Sequence, residues 1–163
     1  MVDRLAAELG IRRLHALCAD AVWRRDPVAF GGCFTQEAEW KIAGLRVRGR
    51  EAIGRALLEL GAGNERVLMS FSHPILDIEG GTVSGRTYAV ERAFLKGGGA
   101  ASSIGIYYER FAQSGADWLF AWRHFDFCYW GPVDLSGELY GFQDYGPPPT
   151  MPADEQTTAG LTV

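Results

Sequence analysis

The sequence predicts an α+β fold: a cone-shaped, half-barrel antiparallel sheet, strongly curved, packed on helices supplied by the N-terminal part of the chain. Three observations predict it. Helical periodicity is confined to the residues before Asn64, four long runs with a period of two follow, and glycines lie both between and inside those runs. The last run, DWLFAWRHFDFCY from Asp117 to Tyr129, makes the strongest demand. Trp118, Phe120, Trp122, His124 and Asp126 alternate with Leu119, Ala121, Arg123, Phe125, Phe127 and Tyr129, so rings stand on both sides of one strand. Neither side can face water along its length. The strand therefore belongs mid-sheet, with a pocket or core on one face and helices or a partner chain on the other.

The elements follow in order. Between Asp3 and Arg25, Leu5, Leu9, Leu14, Leu17, Cys18, Ala21 and Val22 recur at helical intervals, giving an amphipathic helix that crosses the sheet. Asp26 and Pro27 read as an N-cap and a first-turn proline opening a short second helix, weakened by Gly31 and Gly32. Glu39 to Ile42 is a short strand. Glu51 to Leu60 is a third helix, with Ile53, Leu57 and Leu60 on one face and Gly61 at its end. Val67–Ile78, Val83–Leu95, Ser102–Ala112 and Trp118–Tyr129 then form a meander, separated by Gly80-Gly81, Gly97 to Gly99 and Gly115. Gly85 and Gly105, inside strands, are the places where the sheet can bend or bulge. Residues 1–146 form one domain, and the Pro-, Gly- and Thr-rich residues 147–163 a flexible tail. Leu139, Tyr140, Phe142 and Tyr145, just before it, cover a pocket mouth or a neighbouring subunit, or pack locally on the surface.

Composition narrows the function. With 163 residues and 47% apolar content, the chain supports one sizeable core. A net charge of −4 leaves no basic footprint for nucleic acid, and Arg46, Arg48 and Arg50 read as a solvated strand edge. No apolar run is long enough to span a membrane. Three cysteines, Cys18, Cys33 and Cys128, lack CxxC spacing, and with no leader segment they read as reduced thiols in a cytoplasm. His15, His73 and His124 lack metal-ligand spacing, so no metal or organic cofactor is expected.

The order AVWRRD (21–26), EAEWKIAG (37–44), RGREAI (48–53), SHPILD (72–77) and WLFAWR from Trp118 resembles the SnoaL-like families of the nuclear transport factor 2 superfamily. The likeness is strongest to the scytalone dehydratase and hexachlorocyclohexane dehydrochlorinase branch. It implies a bent sheet around a pocket and a cofactor-independent lyase, dehydratase-like, acting on a small hydrophobic, aromatic or polycyclic, hydroxylated substrate. In that branch a strand histidine, oriented by an aspartate of the first helix, removes a proton. His73 falls on the histidine position, whereas the aspartate position falls on Trp23. Asp20, one turn earlier, is the substitute partner, and a second histidine position falls on Thr87.

Further candidates follow. Glu91 follows Thr87 and Ala89 with period two, on the side that the resemblance, through Thr87, assigns to the pocket, where a carboxyl is either a second acid or base or one half of a salt bridge. Tyr107 and Tyr108 point to opposite sides, so one of them reaches the substrate. Trp23 and Trp40 supply rings for an apolar pocket, or core packing, and His124 belongs either to a site or to an interface. The alternative function is a noncatalytic binding module, or an isomerase or cyclase, of the same fold. Because both faces of the last strand carry rings, a homo-oligomer, dimer or trimer, is expected.

Overall fold

The computed structural model describes residues 2–141, 144–153 and 157. Helix α1 (Arg4–Arg24) starts at Asp3, whose carboxylate accepts from the Leu5 and Ala6 amides, and ends at Arg25 in the left-handed conformation, φ 56°. Its buried stripe is Ala7, Ile11, Leu14, His15, Cys18, Ala21 and Val22. Leu5, Leu9 and Leu17, expected on this stripe, are more than half exposed instead. The spacing 11, 14, 15, 18, 21, 22 is the true inner face, and it carries a histidine. Helix α2 (Pro27–Gly32) is capped by Asp26, and α3 (Arg50–Leu60) precedes Gly61.

Seven strands form one sheet: β1 (Phe34–Ile42), β2 (Leu45–Arg48), β3 (Asn64–Phe71), β4 (Ile75–Glu79), β5 (Thr82–Leu95), β6 (Ala100–Ser114) and β7 (Asp117–Pro132). Their order is β2-β1-β7-β6-β5-β3, with β4 also on β5. The sheet is mixed. β1 runs parallel to β7, which corrects the wholly antiparallel expectation, because an N-terminal strand has docked beside the C-terminal one. The expected Val67–Ile78 strand is two strands. Pro74, which has no amide hydrogen to donate, sits in the break between them. Strand β2 is an edge whose Arg48 donates to Glu39 at 2.7 Å, so that part of the arginine cluster is solvated as expected.

Two bulges between β6 and β7 shape the cone. The β6–β7 register shifts between Ile104 and Gly105 and again between Arg110 and Phe111, opposite Phe120 and Trp122. A side chain on Gly105 would collide with the Phe125 ring and the Asp126 carbonyl. The second shift breaks the strict alternation of β7. Trp118 and Phe120 join the inner core with Phe125 and Phe127, while Trp122 packs with Ile106 and Tyr108 on the outer face.

The segment after β7 lies back on the sheet. Tyr140 donates its amide to the Cys128 carbonyl, Tyr145 meets Tyr108 edge-on at 5.1 Å, and Thr157 Oγ1 accepts from the Gly44 amide at 2.9 Å. Of the residues expected to cover a mouth or a neighbour, Tyr145 thus sits on the outer face, and Phe142 lies outside the described residues. Among the described residues no helix is long and apolar enough to cross a membrane.

Candidate active site in the cone

Between α1, α3 and the concave face of the sheet lies a cavity of about 100 Å³. Its walls include Trp40 from β1, Val67 and Met69 from β3, Glu91 from β5, Tyr107 from β6, and Phe127 and Trp130 from β7. Arg25 and Asn64 stand at its rim. The Arg25 guanidinium is committed there, since its Nη1 donates to the carbonyls of Gly61 and Asn64.

Glu91 is the acid of this cavity. Cross-strand from Ser103, whose hydroxyl donates to its Oε2 at 3.3 Å, it stands on an otherwise apolar wall. Burial pushes its carboxyl up to about 7, against smaller pulls from the Ser103 hydrogen bond and the Arg123 charge. A carboxyl titrating there can both take and give a proton at neutral pH.

Deeper in the cone lies a buried ion cluster. Glu109 accepts from Arg123 Nε at 2.9 Å, from Thr87 Oγ1 at 2.7 Å, and faces His15 Nε2 at 2.9 Å, while His15 Nδ1 faces the Ile11 carbonyl at 2.9 Å. The Arg123 guanidinium lies 3.6 Å from the centre of the Tyr107 ring and 4.1 Å from that of Phe120. Burial alone would raise the Glu109 carboxyl, but His15 and Arg123 hold it below its ordinary range. Burial likewise pushes the Tyr107 phenol up, so it stays protonated. Cys18 is hydrogen-bonded to Cys33, which lowers its thiol to about 7 with help from Arg123 and His15 and against burial. This cluster fastens α1 to the floor of the cone.

The sequence-predicted residues divide sharply. Trp40, Glu91 and Tyr107 line the cavity, and Tyr108 points to the outer face. Thr87 is buried in the ion cluster rather than in the cavity wall. His124 is also outside the cavity, stacked on Trp122 and 3.1 Å from Asp126 on the outer face. The expected base is displaced: His73 is exposed in the β3–β4 break and does not line the cavity. Asp20 is exposed on α1 and bonded to Arg24 at 2.8 Å, so the pair expected from the resemblance is not assembled. Trp23, 43% exposed, is turned away as well, because the helix presents Val22 to the cavity and rotates the next residue outward. His15, Glu109 and Arg123 were not singled out beforehand. The signals were there, in the helical spacing of His15 with Ile11 and Cys18 and in a charged residue on each of two ring-rich strands. Among the described residues no three potential ligands cluster to hold a metal.

The SnoaL-like domain model matches residues 3–124. The chain belongs to the SnoaL-like domain family. Its fold, within the nuclear transport factor 2 superfamily, is shared by a type 2 hexachlorocyclohexane dehydrochlorinase, LinA, at 19% identity and TM-score 0.73, over 90% of this chain and 97% of that one. A candidate scytalone dehydratase from Novosphingobium aromaticivorans DSM 12444 is similar at 14% identity and TM-score 0.71, over 82% and 97% of the two chains. A Mycobacterium tuberculosis protein of unknown function is similar at 21% identity and TM-score 0.69, over 76% and 77%. No curated protein matches the sequence. At these identities the likeness establishes the SnoaL-like cone and leaves the chemistry to the residues that line it.

Proposed function

We propose that this SnoaL-like protein is a cofactor-independent lyase that removes water from a small hydrophobic ring compound, with Glu91 moving the proton. The observation that supports this reading is the Glu91 carboxyl raised to about 7 inside an apolar cavity. The ionised carboxylate takes a proton from carbon, a carbon–carbon double bond forms, and the neighbouring carbon–oxygen bond breaks. The protonated carboxyl then returns that proton to the departing hydroxyl, so the products are an alkene and water and Glu91 is regenerated. A pKa near neutrality serves both halves of the cycle.

The size of the cavity narrows the substrate. An apolar cavity of about 150 Å³ takes up benzene, and the cavity here, about 100 Å³ and open at the Arg25 and Asn64 rim, favours a single ring over the polycyclic alternative. The Tyr107 and Phe127 rings are among its lining. A noncatalytic binding module remains the second reading, because among the described residues no histidine lines the cavity.

The test is conversion of a panel of small cyclic alcohols, with products read by mass spectrometry. Wild-type turnover should rise with pH through about 7, and Glu91→Gln should lose at least on the order of 100-fold. Equal turnover in the glutamine variant would remove Glu91 from the chemistry. Binding without any turnover across the panel would favour the module.

A further inference from the structure

We propose that Ser103 is the positioning residue of this site: its hydroxyl holds Oε2 of Glu91, and Oε1 is thereby the oxygen that meets the ligand. This deepens the preceding reading, since it takes Glu91 as the group that moves the proton.

Met69, Glu91, Ser103 and Trp130 stand directly opposite one another on β3, β5, β6 and β7, so the four side chains share the concave face. Met69, Glu91 and Trp130 line the cavity. Ser103, fully buried between the last two, gives its hydroxyl to Glu91. The two oxygens of the carboxylate are therefore unlike. Oε2 accepts from Ser103 at 3.3 Å. Oε1 accepts from nothing among the described residues, yet it is not one of the buried polar atoms left without a partner, so it keeps accessible surface where Glu91 borders the cavity.

Among the described residues no other donor reaches this carboxylate. Arg25 Nη1 is given to the Gly61 and Asn64 carbonyls, and Arg123, which acts on Glu91 through its charge, donates to Glu109. Tyr107, the titratable neighbour in the cavity wall, bonds neither oxygen. The serine is there for its hydroxyl. Ala101 and Gly105 occupy the flanking positions on its side of β6, and an alanine between them would fill the wall with no polar group to desolvate. Ser102, on the opposite side, donates to the Glu91 carbonyl at 3.2 Å, so consecutive serines hold the main chain and the side chain of one residue.

A glutamate side chain turns about three bonds, and fixing one oxygen removes that freedom before a ligand arrives. The same hydrogen bond favours the ionised carboxylate and so opposes the effect of burial. Removing it should raise the Glu91 titration and release the side chain.

Both consequences are read without a substrate. In protein carrying glutamate 13C-labelled at the carboxyl, the Glu91 signal is identified by its absence in Glu91→Gln. Its midpoint should lie at about 7 in wild type and higher by about half a pH unit or more in Ser103→Ala, the size of one net hydrogen bond. Crystal structures above that midpoint should show one Glu91 conformer in wild type and several in Ser103→Ala. A midpoint that stays in place, or a carboxylate equally fixed without the hydroxyl, overturns the proposal. On a cyclic alcohol that the wild type dehydrates, Ser103→Ala should lose about tenfold in kcat with KM held within about twofold. Full turnover in Ser103→Ala, with turnover lost in Glu91→Gln, overturns this inference alone. Full turnover in Glu91→Gln overturns the preceding reading and this one with it.

Discussion

Glu91 and Glu109 stand on neighbouring strands, one half-buried at the cavity and the other fully buried, and they are driven in opposite directions. Glu109 has an arginine and a histidine against it and is held low, whereas Glu91 has one hydroxyl and apolar neighbours and is raised. The raised carboxyl makes stability depend on pH. Between the ordinary value of 4.5 and about 7, folded Glu91 keeps a proton that the unfolded chain has lost. Its contribution is therefore complete below that window and is lost as pH climbs through 7. Glu91→Gln should flatten this decline, which amounts to about 2 kcal/mol once the full shift is discounted for a carboxyl bordering an open cavity; urea melts of both proteins at pH 5 and 8 measure it. Glu109→Gln should behave differently, because it leaves the Arg123 guanidinium buried without its anion. A loss of about 3–5 kcal/mol is expected in the same melts, and a loss below 1 kcal/mol would mean that water reaches the cluster. His73→Ala, at an exposed position, should leave both the melt and any turnover unchanged.

The strands show which parts of the fold were legible in the sequence. Glycine placement announced curvature, and it was correct at Gly105, where the bulge lies. What alternation could not show was the second bulge near Arg110, because nothing in the residues of β7 distinguishes a slipped register from a regular one. The rings of Trp118 and Trp122 were therefore grouped together although they belong to opposite faces. The parallel pairing of β1 with β7 was equally invisible, since it depends on contacts between residues as far apart as Phe34 and Phe120. Of the candidate site residues, Trp40, Glu91 and Tyr107 lie in the cavity wall, while His73, Asp20, Trp23, Thr87, Tyr108 and His124 do not. A gapless correspondence along α1 misses the face that a helix turns inward. Gly105→Ala tests the bulge directly. Its methyl would press on the Phe125 ring and the Asp126 carbonyl, and thermal melts should show a loss of about 1–3 kcal/mol along with a changed near-ultraviolet spectrum from the repacked rings.

At the scale of the molecule, one face of the sheet is fully used and the other only in part. The concave face is closed by α1 and α3, and the β6–β7 region of the convex face is covered by the segment bearing Tyr145 and Met151. Among the described residues nothing covers the β3–β5 region. Leu68, Tyr88, Val90 and Phe94 are 37–49% exposed, and the register Leu68↔Arg92 and Val90↔Ile104 puts them on a single surface. With the exposed Arg92 among them, these side chains form the mixed apolar and charged surface that an interface uses. We propose that it is covered by a second copy of this chain, because one surface patch can pair with itself across a two-fold axis, and a second copy is present wherever the protein is. Light scattering at micromolar concentration should then give a dimer, and Val90→Lys combined with Phe94→Glu should give a folded monomer with the cavity intact. The position of these side chains, on the face opposite Glu91, separates assembly from chemistry: the monomeric variant should bind cavity ligands as the wild type does. A wild-type monomer under these conditions would leave the face without a partner of its own kind and overturn the assignment.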